Sequence, residues 1–485
     1  MKRGSLIIGT TIGLTLSSLG LSGTAAVTTE WTQLGQDMTS SYLSFGNALA
    51  ISSDGTRVVV GAPGSATSPD SGEGEVRVYE LQGSTWEQLG TTLTGAAIRD
   101  EFGAAVDISS DGSRIAVGAP FNDTGGDARG QVSVYDWNGS TWTQVGSSLT
   151  GGANDDEFGS SVALSNDGSR VVVGAPGHNS ETGRVQVYQL TDSSWEQLGG
   201  DIDGDAAGDL AGSAVASSGD GSRIAIGALQ SDGGGRINAG QVRIYDWDGT
   251  SWTQVGTDIN GPRSFSALGA SVALSSNGAR LAAGAPSTFD SSEAGSVRVY
   301  DWNGSAWTQV GSDFTGLQAG DQFGQSVSLS SSGSRVLGGA YYAGNGVNAY
   351  ARVLQLSGGS WEPVDSVIGN GDPAVNAFGY STGISADGSR IAIGGGSFDG
   401  TYQAVRVFES TASSGDSFAE FTYRLPDGRE CTSISPERVT IGTVHALPGR
   451  EALCQTSDGS LVAGWVIPVP EGFTGAGSSA LPFNP

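Results

Sequence analysis

The stretch FGAAVDISSDGSRIAVGAPFNDTGGDARGQVSVYDWNGSTWTQVG, residues 102–146, decides the fold. Its apolar runs and turn pairs mark four short strands. The first starts at Phe102 and turns at Ser110-Asp111-Gly112; the second starts at Arg114. After a variable loop the third starts at Gln131, turns at Asn138-Gly139, and leads into the fourth from Ser140. Asp-Gly and Asn-Gly supply the positive φ angles that two-residue hairpins need, so strands one with two and three with four are expected as antiparallel neighbours. A two-residue loop at Asn138-Gly139 places Tyr135 opposite Trp142. The same spacing pairs Tyr79 with Trp86, Tyr188 with Trp195, Tyr245 with Trp252 and Tyr300 with Trp307.

The turn phrase recurs at Ser53 to Arg57, Ser110 to Arg114, Asn166 to Arg170, Gly219 to Arg223, Ser276 to Arg280, Ser331 to Arg335 and Ala386 to Arg390, with arginines spaced by 57, 56, 53, 57, 55 and 55 residues. Seven copies at a nearly fixed period signify a repeat architecture. Strands one and two of each copy carry small residues, while three and four carry Tyr and Trp, so each unit is a wedge. Four-stranded wedges around an axis make a β-propeller. Fourth-strand tryptophans occur at Trp31, Trp86, Trp142, Trp195, Trp252, Trp307 and Trp361, yet the seventh unit ends at Val405 to Phe408 without one. The segment around Trp31 is therefore expected to complete the last blade and leave no open ring edge. The expected fold is all-β: a signal peptide over 1–26, a seven-bladed propeller over 27–410 closed by its N-terminal strand, and a small C-terminal β extension over 411–485 with one disulfide and a flexible tail.

Composition agrees. The 485 residues include 79 Gly and 15 Pro without a G-X-Y period, which excludes collagen and suits many tight turns. A 37% hydrophobic content excludes global disorder. Fifty acidic against 23 basic side chains, net charge -27, argue against a nucleic-acid partner, which needs clustered Lys and Arg. Lys2 and Arg3 precede an apolar run from Leu6 to Leu21 and the small residues Gly23-Thr24-Ala25-Ala26, the pattern of a secretory signal cut near Ala25 or Ala26. No other segment is apolar enough for long enough to span a bilayer. The mature chain is thus expected outside the cell, where Cys431 and Cys454 would pair.

Phe-Gly stands at Phe45, Phe102, Phe158, Phe323 and Phe378, and Gly-Ala-Pro at Gly61, Gly118, Gly174 and Gly284, with degenerate copies in the other blades. These motifs resemble the FG-GAP repeat, the blade unit of the integrin α-subunit head and of many secreted propellers. The resemblance covers the propeller and implies extracellular recognition or adhesion through loops on one face; it names no ligand. Calcium-binding members of that family carry D-x-D-x-D-G-x-x-D between strands one and two. Here the turn is Ser-Asp-Gly-Ser-Arg or similar, which lacks the oxygens for six or more ligands, so those sites are not carried over.

Two acidic constellations stand out. Asp201, Asp203, Asp205 and Asp209 follow the 1, 3, 5, 9 spacing of calcium loops, with Ala206 rather than Gly at the sixth position. The competing reading is a solvated linker. Asp100-Glu101, Asp156-Glu157, Asp209 and Asp321 sit just before the Phe-Gly step, where they would ring one mouth of the central channel and favour cations or basic ligands. Asp100, Glu101, Asp156, Glu157 and Asp321 are the ligand-binding candidates, against the alternative that each Asp serves its own loop. No catalytic residue is assigned. With only His178 and His445, no zinc-protease helix is possible, and His178 is expected as a solvent-facing bystander. Gly379 to Gly383 matches G-x-S-x-G, but no helix follows. Asn122, Asn138 and Asn303 begin glycosylation sequons. After the linker at Ser413-Ser414-Gly415, short strands are expected from Phe418, Glu437 and Ser460.

The resulting expectation is a secreted, non-enzymatic propeller that binds an extracellular glycan or protein through loops such as Phe121 to Arg129, Gln230 to Ala239 and Tyr341 to Tyr350. No cofactor is expected apart from the calcium candidate. Alternatives are a polysaccharide lyase or hydrolase drawing on His178, Tyr341 or Tyr342, and a matrix or surface-layer building block assembled through the C-terminal region.

Overall fold

The computed structural model describes residues 30–64, 72–342, 349–364, 367–369, 378–396 and 403–411, and the backbone of four short strands between 422 and 465. The expected signal peptide lies outside the described residues. The chain divides into two compact units, residues 1–411 and 412–485.

The first unit is a seven-bladed β-propeller. Blade two shows the pattern: an inner strand Ala105–Ile108, then Arg114–Ala119, Gln131–Trp137 and Trp142–Gln144, in that spatial order and antiparallel throughout. The outer strand is broken. A second piece, Leu149–Thr150, pairs again with the third strand at Gln131 and Val132. Gly146 lies between the two pieces at φ +69°, a left-handed angle that a glycine adopts without strain, and lets the chain step outward.

The ring closes as the tryptophan count implied. Residues Glu30–Gln33 pair with Gln403–Thr411, Trp31 opposite Ser410, so blade seven takes its outer strand from the N-terminal end of the unit. Met38–Thr39 adds the second piece, opposite Val405 and Ala404.

The outer-hairpin register differs from the expected one. Tyr135 faces Gln144, and Trp142 faces Trp137. The cause is the turn. Asn138 accepts backbone N–H bonds on its side-chain oxygen from Ser140 and Thr141, making a four-residue loop rather than a two-residue one. Trp247 with Trp252 and Trp302 with Trp307 pair likewise, while Trp86, Trp195 and Trp361 face Leu81, Leu190 and Leu356. The expected Tyr79, Tyr188, Tyr245 and Tyr300 partners are displaced by the same two positions. Tyr135 instead meets the edge of Phe102, ring centres 6.4 Å apart.

Three interactions join neighbouring blades, and they explain the repeated motifs. A Cβ added at Gly118 would lie 2.0 Å from the carbonyl oxygen of Gly159, the glycine of the next Phe-Gly, and the same contact closes the ring from Gly394 to Gly46 at 2.2 Å. The motifs are thus two halves of one close backbone approach. On the outside, Trp142 Nε1 donates to the carbonyl of Leu89 in the preceding blade at 3.0 Å; Trp86, Trp195, Trp252 and Trp307 do the same. Trp361 Nε1 and Trp31 Nε1 are buried without a partner among the described residues. On the hairpin-turn face, Arg114 grips Asp136 through Nε and Nη2 at 2.6 and 2.7 Å while its Nη1 reaches the Gly168 carbonyl of the next blade at 2.8 Å. Arg57, Arg170, Arg223, Arg280, Arg335 and Arg390 reach the next turn likewise.

That same face carries a closed backbone ring around the axis. Ser53 N–H donates to Ser110, Ser110 to Asn166, Asn166 to Gly219, Gly219 to Ser276, Ser276 to Ser331, Ser331 to Ala386, and Ala386 back to Ser53, at 2.8 to 3.0 Å.

The second unit contains Thr422–Arg424, Glu430–Ser433, Glu451–Thr456 and Leu461–Trp465 as one antiparallel sheet in chain order. The strands expected from Phe418 and Ser460 overlap the first and last; the one from Glu437 lies outside the described residues. Ser433 faces Cys454 and Cys431 faces Thr456. The expected disulfide concerns side chains outside the described set.

Candidate functional site

Antiparallel alternation puts the described linkers between blades and the described loops between second and third strands on one side of the ring, the mouth face. Backbone bonds tie them together there: Phe265 N–H donates to the Ile237 carbonyl and Leu210 N–H to Glu181.

The acids before the Phe-Gly steps sit on this face at equivalent places, but the aspartates turn inward. Asp100, Asp156, Asp209 and Asp321 are all buried. Asp156 Oδ2 accepts the amides of Gly152 and Ala153, both at 2.8 Å. Asp321 Oδ2 accepts those of Leu317 and Gln318 and the Tyr350 hydroxyl. Asp100 Oδ2 accepts the Ala97 amide and the Asn122 side chain. Asp209 Oδ2 accepts the Ala206 amide. Each carboxylate thus clasps its own linker. Burial holds Asp100 and Asp209 above the usual carboxylate range despite these bonds. Asn122 is committed to Asp100 and buried, so its sequon is masked.

The residue before the Phe-Gly position is strained at the six described steps. Ser44, Glu101, Glu157, Leu210, Ala267 and Gln322 all have positive φ, between 53° and 65°, without being glycine. Glu101 and Glu157 are half-buried. Burial raises the Glu157 pKa, and the nearby charges of Glu181 and Asp155 add to it.

The calcium candidates do not converge. Asp201 and Asp203 both pair with Arg184, at 2.6 and 2.7 Å; Asp205 pairs with Arg243 at 2.8 Å. Among the described residues no three metal-ligating side chains come together.

His178 departs from the expected solvent-facing bystander. Its Nδ1 lies 2.7 Å from Asp156 Oδ1, and its side chain is only 17% exposed. Asn179, Ser180 and Glu181, which follow it, form a left-handed turn with φ 52°, 59° and 62°. The buried carboxylate fixes the imidazole from behind. Such a pair orients a histidine, and no nucleophile contacts it among the described residues.

Exposed large apolar side chains concentrate on the mouth face. Ile98, Phe265 and Leu317 stand on linkers; Phe121, Ile237, Phe289 and Tyr342 stand on second-to-third-strand loops; of the eight such residues among those described, only Val367 lies elsewhere. Ile98 is 69% exposed, Ile237 58% and Leu317 52%. Between blades six and seven Tyr341 contacts Tyr342 and Tyr380, ring centres 5.8 and 5.1 Å apart. Tyr341 stands where other blades have the proline of Gly-Ala-Pro, and Tyr380 follows Phe-Gly where most others have a small residue. Sequence reading missed Tyr380 because it fell inside the rejected G-x-S-x-G match.

The central channel has a volume of about 270 Å³ and is lined by the inner strands. Its lining is aliphatic or small apart from a few hydroxyls and one carboxylate, Asp107. Asp107 escaped the sequence reading; the signal was that four other blades place alanine there.

Residues 92–135 and 142–188 match the family model of the FG-GAP repeat. The chain carries FG-GAP repeats. Each matched segment begins on an outer strand or the linker after it and ends on the third strand of the following blade, the same offset by which the N-terminal strand closes the ring. No curated protein matches the sequence. Solved structures matching this FG-GAP propeller number 512 chains. One is a candidate 6-phosphogluconolactonase from Bacteroides uniformis, 13% identical, with 67% of this chain and 85% of that chain covered and a TM-score of 0.48. No helix among the described residues of the FG-GAP propeller is long and apolar enough to cross a membrane.

Proposed function

We propose that this chain is an exported, non-enzymatic recognition propeller that binds an extracellular protein through its mouth face. The observation that carries the reading is the gathering of seven exposed large apolar side chains on that face. Such residues scattered singly need no explanation, but their restriction to one side of a ring does. The linkers under them are stapled by buried aspartates, so the surface is presented with little conformational entropy left to lose on binding. A net charge of -27 favours a basic partner and speeds encounter with it. Export is supported by Lys2, Arg3 and the apolar run that follows them.

The test is retention of the full mature chain on arrays of extracellular proteins and glycans. Saturable retention on a protein, weakened at least about ten-fold in an Ile98→Ser, Ile237→Ser, Leu317→Ser variant, is expected. Retention indifferent to those three changes overturns the reading. The tyrosine group favours a second reading, a glycan stacked on Tyr342, which requires glycan retention that Tyr342→Ala abolishes and the triple change leaves alone.

A further inference from the structure

The inner strands present one edge to the axis. Ser52, Ser109 and Ser165 donate their N–H groups into their own sheets, to the carbonyls of Arg57, Arg114 and Arg170. In an antiparallel ladder the N–H and C=O of successive residues point to opposite sides, so Ile51, Ile108 and Leu164 turn theirs toward the channel. Asp107 agrees with this: its Oδ1 accepts the Ile108 amide at 2.8 Å and its Oδ2 accepts the Leu164 amide of the next blade at 2.7 Å. The channel therefore holds axis-facing carbonyl oxygens at the same level as a carboxylate.

That carboxylate is an exception within the repeat. Its counterparts are Ala50, Ala163, Ala216, Ala273, Ser328 and Gly383. It pairs with no cation among the described residues. Enclosure by protein pushes its pKa up to about 6 against the two amide bonds, so ionisation at neutral pH works against folding. Two of its roughly four acceptor sites remain open. Beyond it, toward the hairpin-turn face, the channel meets the hydrogen-bonded ring of Ser53 to Ala386, where Asn166 Nδ2 reaches over Gly219 to Ser276 Oγ at 3.1 Å. The channel is thus a well walled by strand edges that carries a single carboxylate.

We propose that this well receives the primary ammonium group of a lysine side chain presented by the protein that docks on the mouth face, a proposal that rests on the reading of that face given above. An ammonium has three donors, which suit one carboxylate oxygen and two axis-facing carbonyls. A guanidinium fits less well, because its planar fork is matched to two free carboxylate oxygens and here each oxygen already accepts an amide.

The probe is n-butylammonium chloride, titrated calorimetrically into the full mature chain at pH 7.5. One saturable site is expected, with n-butanol at least ten-fold weaker, and with binding lost in Asp107→Ala and Asp107→Ser, residues that other blades accept at this place. Lowering the pH to 5 should weaken it, and among the described residues Asp107 is the only titratable side chain lining the channel. No heat with n-butylammonium, equal binding by the Asp107 variants, or equal binding of sodium or calcium chloride overturns the proposal. Where an arrayed protein is retained equally by wild type and Asp107→Ala, the well has failed and the mouth-face reading stands. Butylammonium binding with no array retention upholds the well's ammonium chemistry and sinks the mouth-face reading.

Discussion

The two faces of the ring are built from the same seven repeats and use their polar groups in opposite ways. On the hairpin-turn face each Asp accepts bonds from its own turn, each Arg bridges to the next turn, and backbone amides close a circle. On the mouth face the aspartates are buried inside linkers, the residues after them are strained, and apolar side chains point outward. One face spends its chemistry on holding blades together; the other is braced from within and left chemically unsatisfied at its surface. Sequence variation follows the same division, since the turn phrase is nearly constant and the mouth loops differ in length and content.

The largest effect is expected from disturbing the close contact between neighbouring blades. Gly118→Ala places a methyl 2.0 Å from the Gly159 carbonyl and should cost about 4 kcal/mol or more in denaturant unfolding. Gly200→Ala, which meets nothing within 4 Å, should stay within about 0.5 kcal/mol. Equal costs at both sites would refute the close-approach account of the two motifs.

The hairpin-turn face and the central channel should also titrate with opposite signs. Burial raises Asp54, Asp111, Asp167, Asp220 and Asp387, but bonds from neighbouring Ser or Thr hydroxyls and amides more than offset it, leaving these hairpin-turn groups below the usual range. Their folded pKa values lie under the unfolded value of about 3.9, so their stabilisation is present above it and lost as pH falls further. Asp107, raised to about 6, favours the fold fully below the unfolded value and loses that contribution as pH rises through 6. Between pH 4 and 7, Asp107→Ala should flatten the decline in stability by roughly 1–3 kcal/mol relative to wild type. An unchanged slope would contradict the enclosure of that carboxylate.

A smaller effect sharpens the view of the seams. Trp142→Phe removes a bond to Leu89 and should cost about 1 kcal/mol more than Trp361→Phe, whose indole N–H has no partner to lose. Identical costs would show that the indole bonds contribute nothing to blade cohesion.

Much of this was legible before any coordinates. The seven turn phrases fixed the blade number, and the surplus Trp31 with the missing seventh tryptophan fixed the closure. The outer register was not legible, because Asn138-Gly139 looks like a two-residue turn and only the bonds of Asn138 to Ser140 and Thr141 reveal a longer one. The broken outer strand was hidden for a similar reason: Gly146 reads as a strand end until its left-handed φ is seen. At the mouth, Asp100, Asp156 and Asp321 lie buried in their own linkers, and adjacency in sequence to Glu101 or Glu157 does not tell which acid turns inward. Asp107 became meaningful only once the axis-facing edge was known.

The most direct test of the division between faces is a hydrogen-exchange footprint of the complex with whichever arrayed protein is retained. Added protection is expected in the mouth linkers at 95–101, 261–268 and 316–323 and in the loop at 230–240, with none in the turns at 52–57, 109–114 and 275–280. Protection confined to those turns would contradict the account.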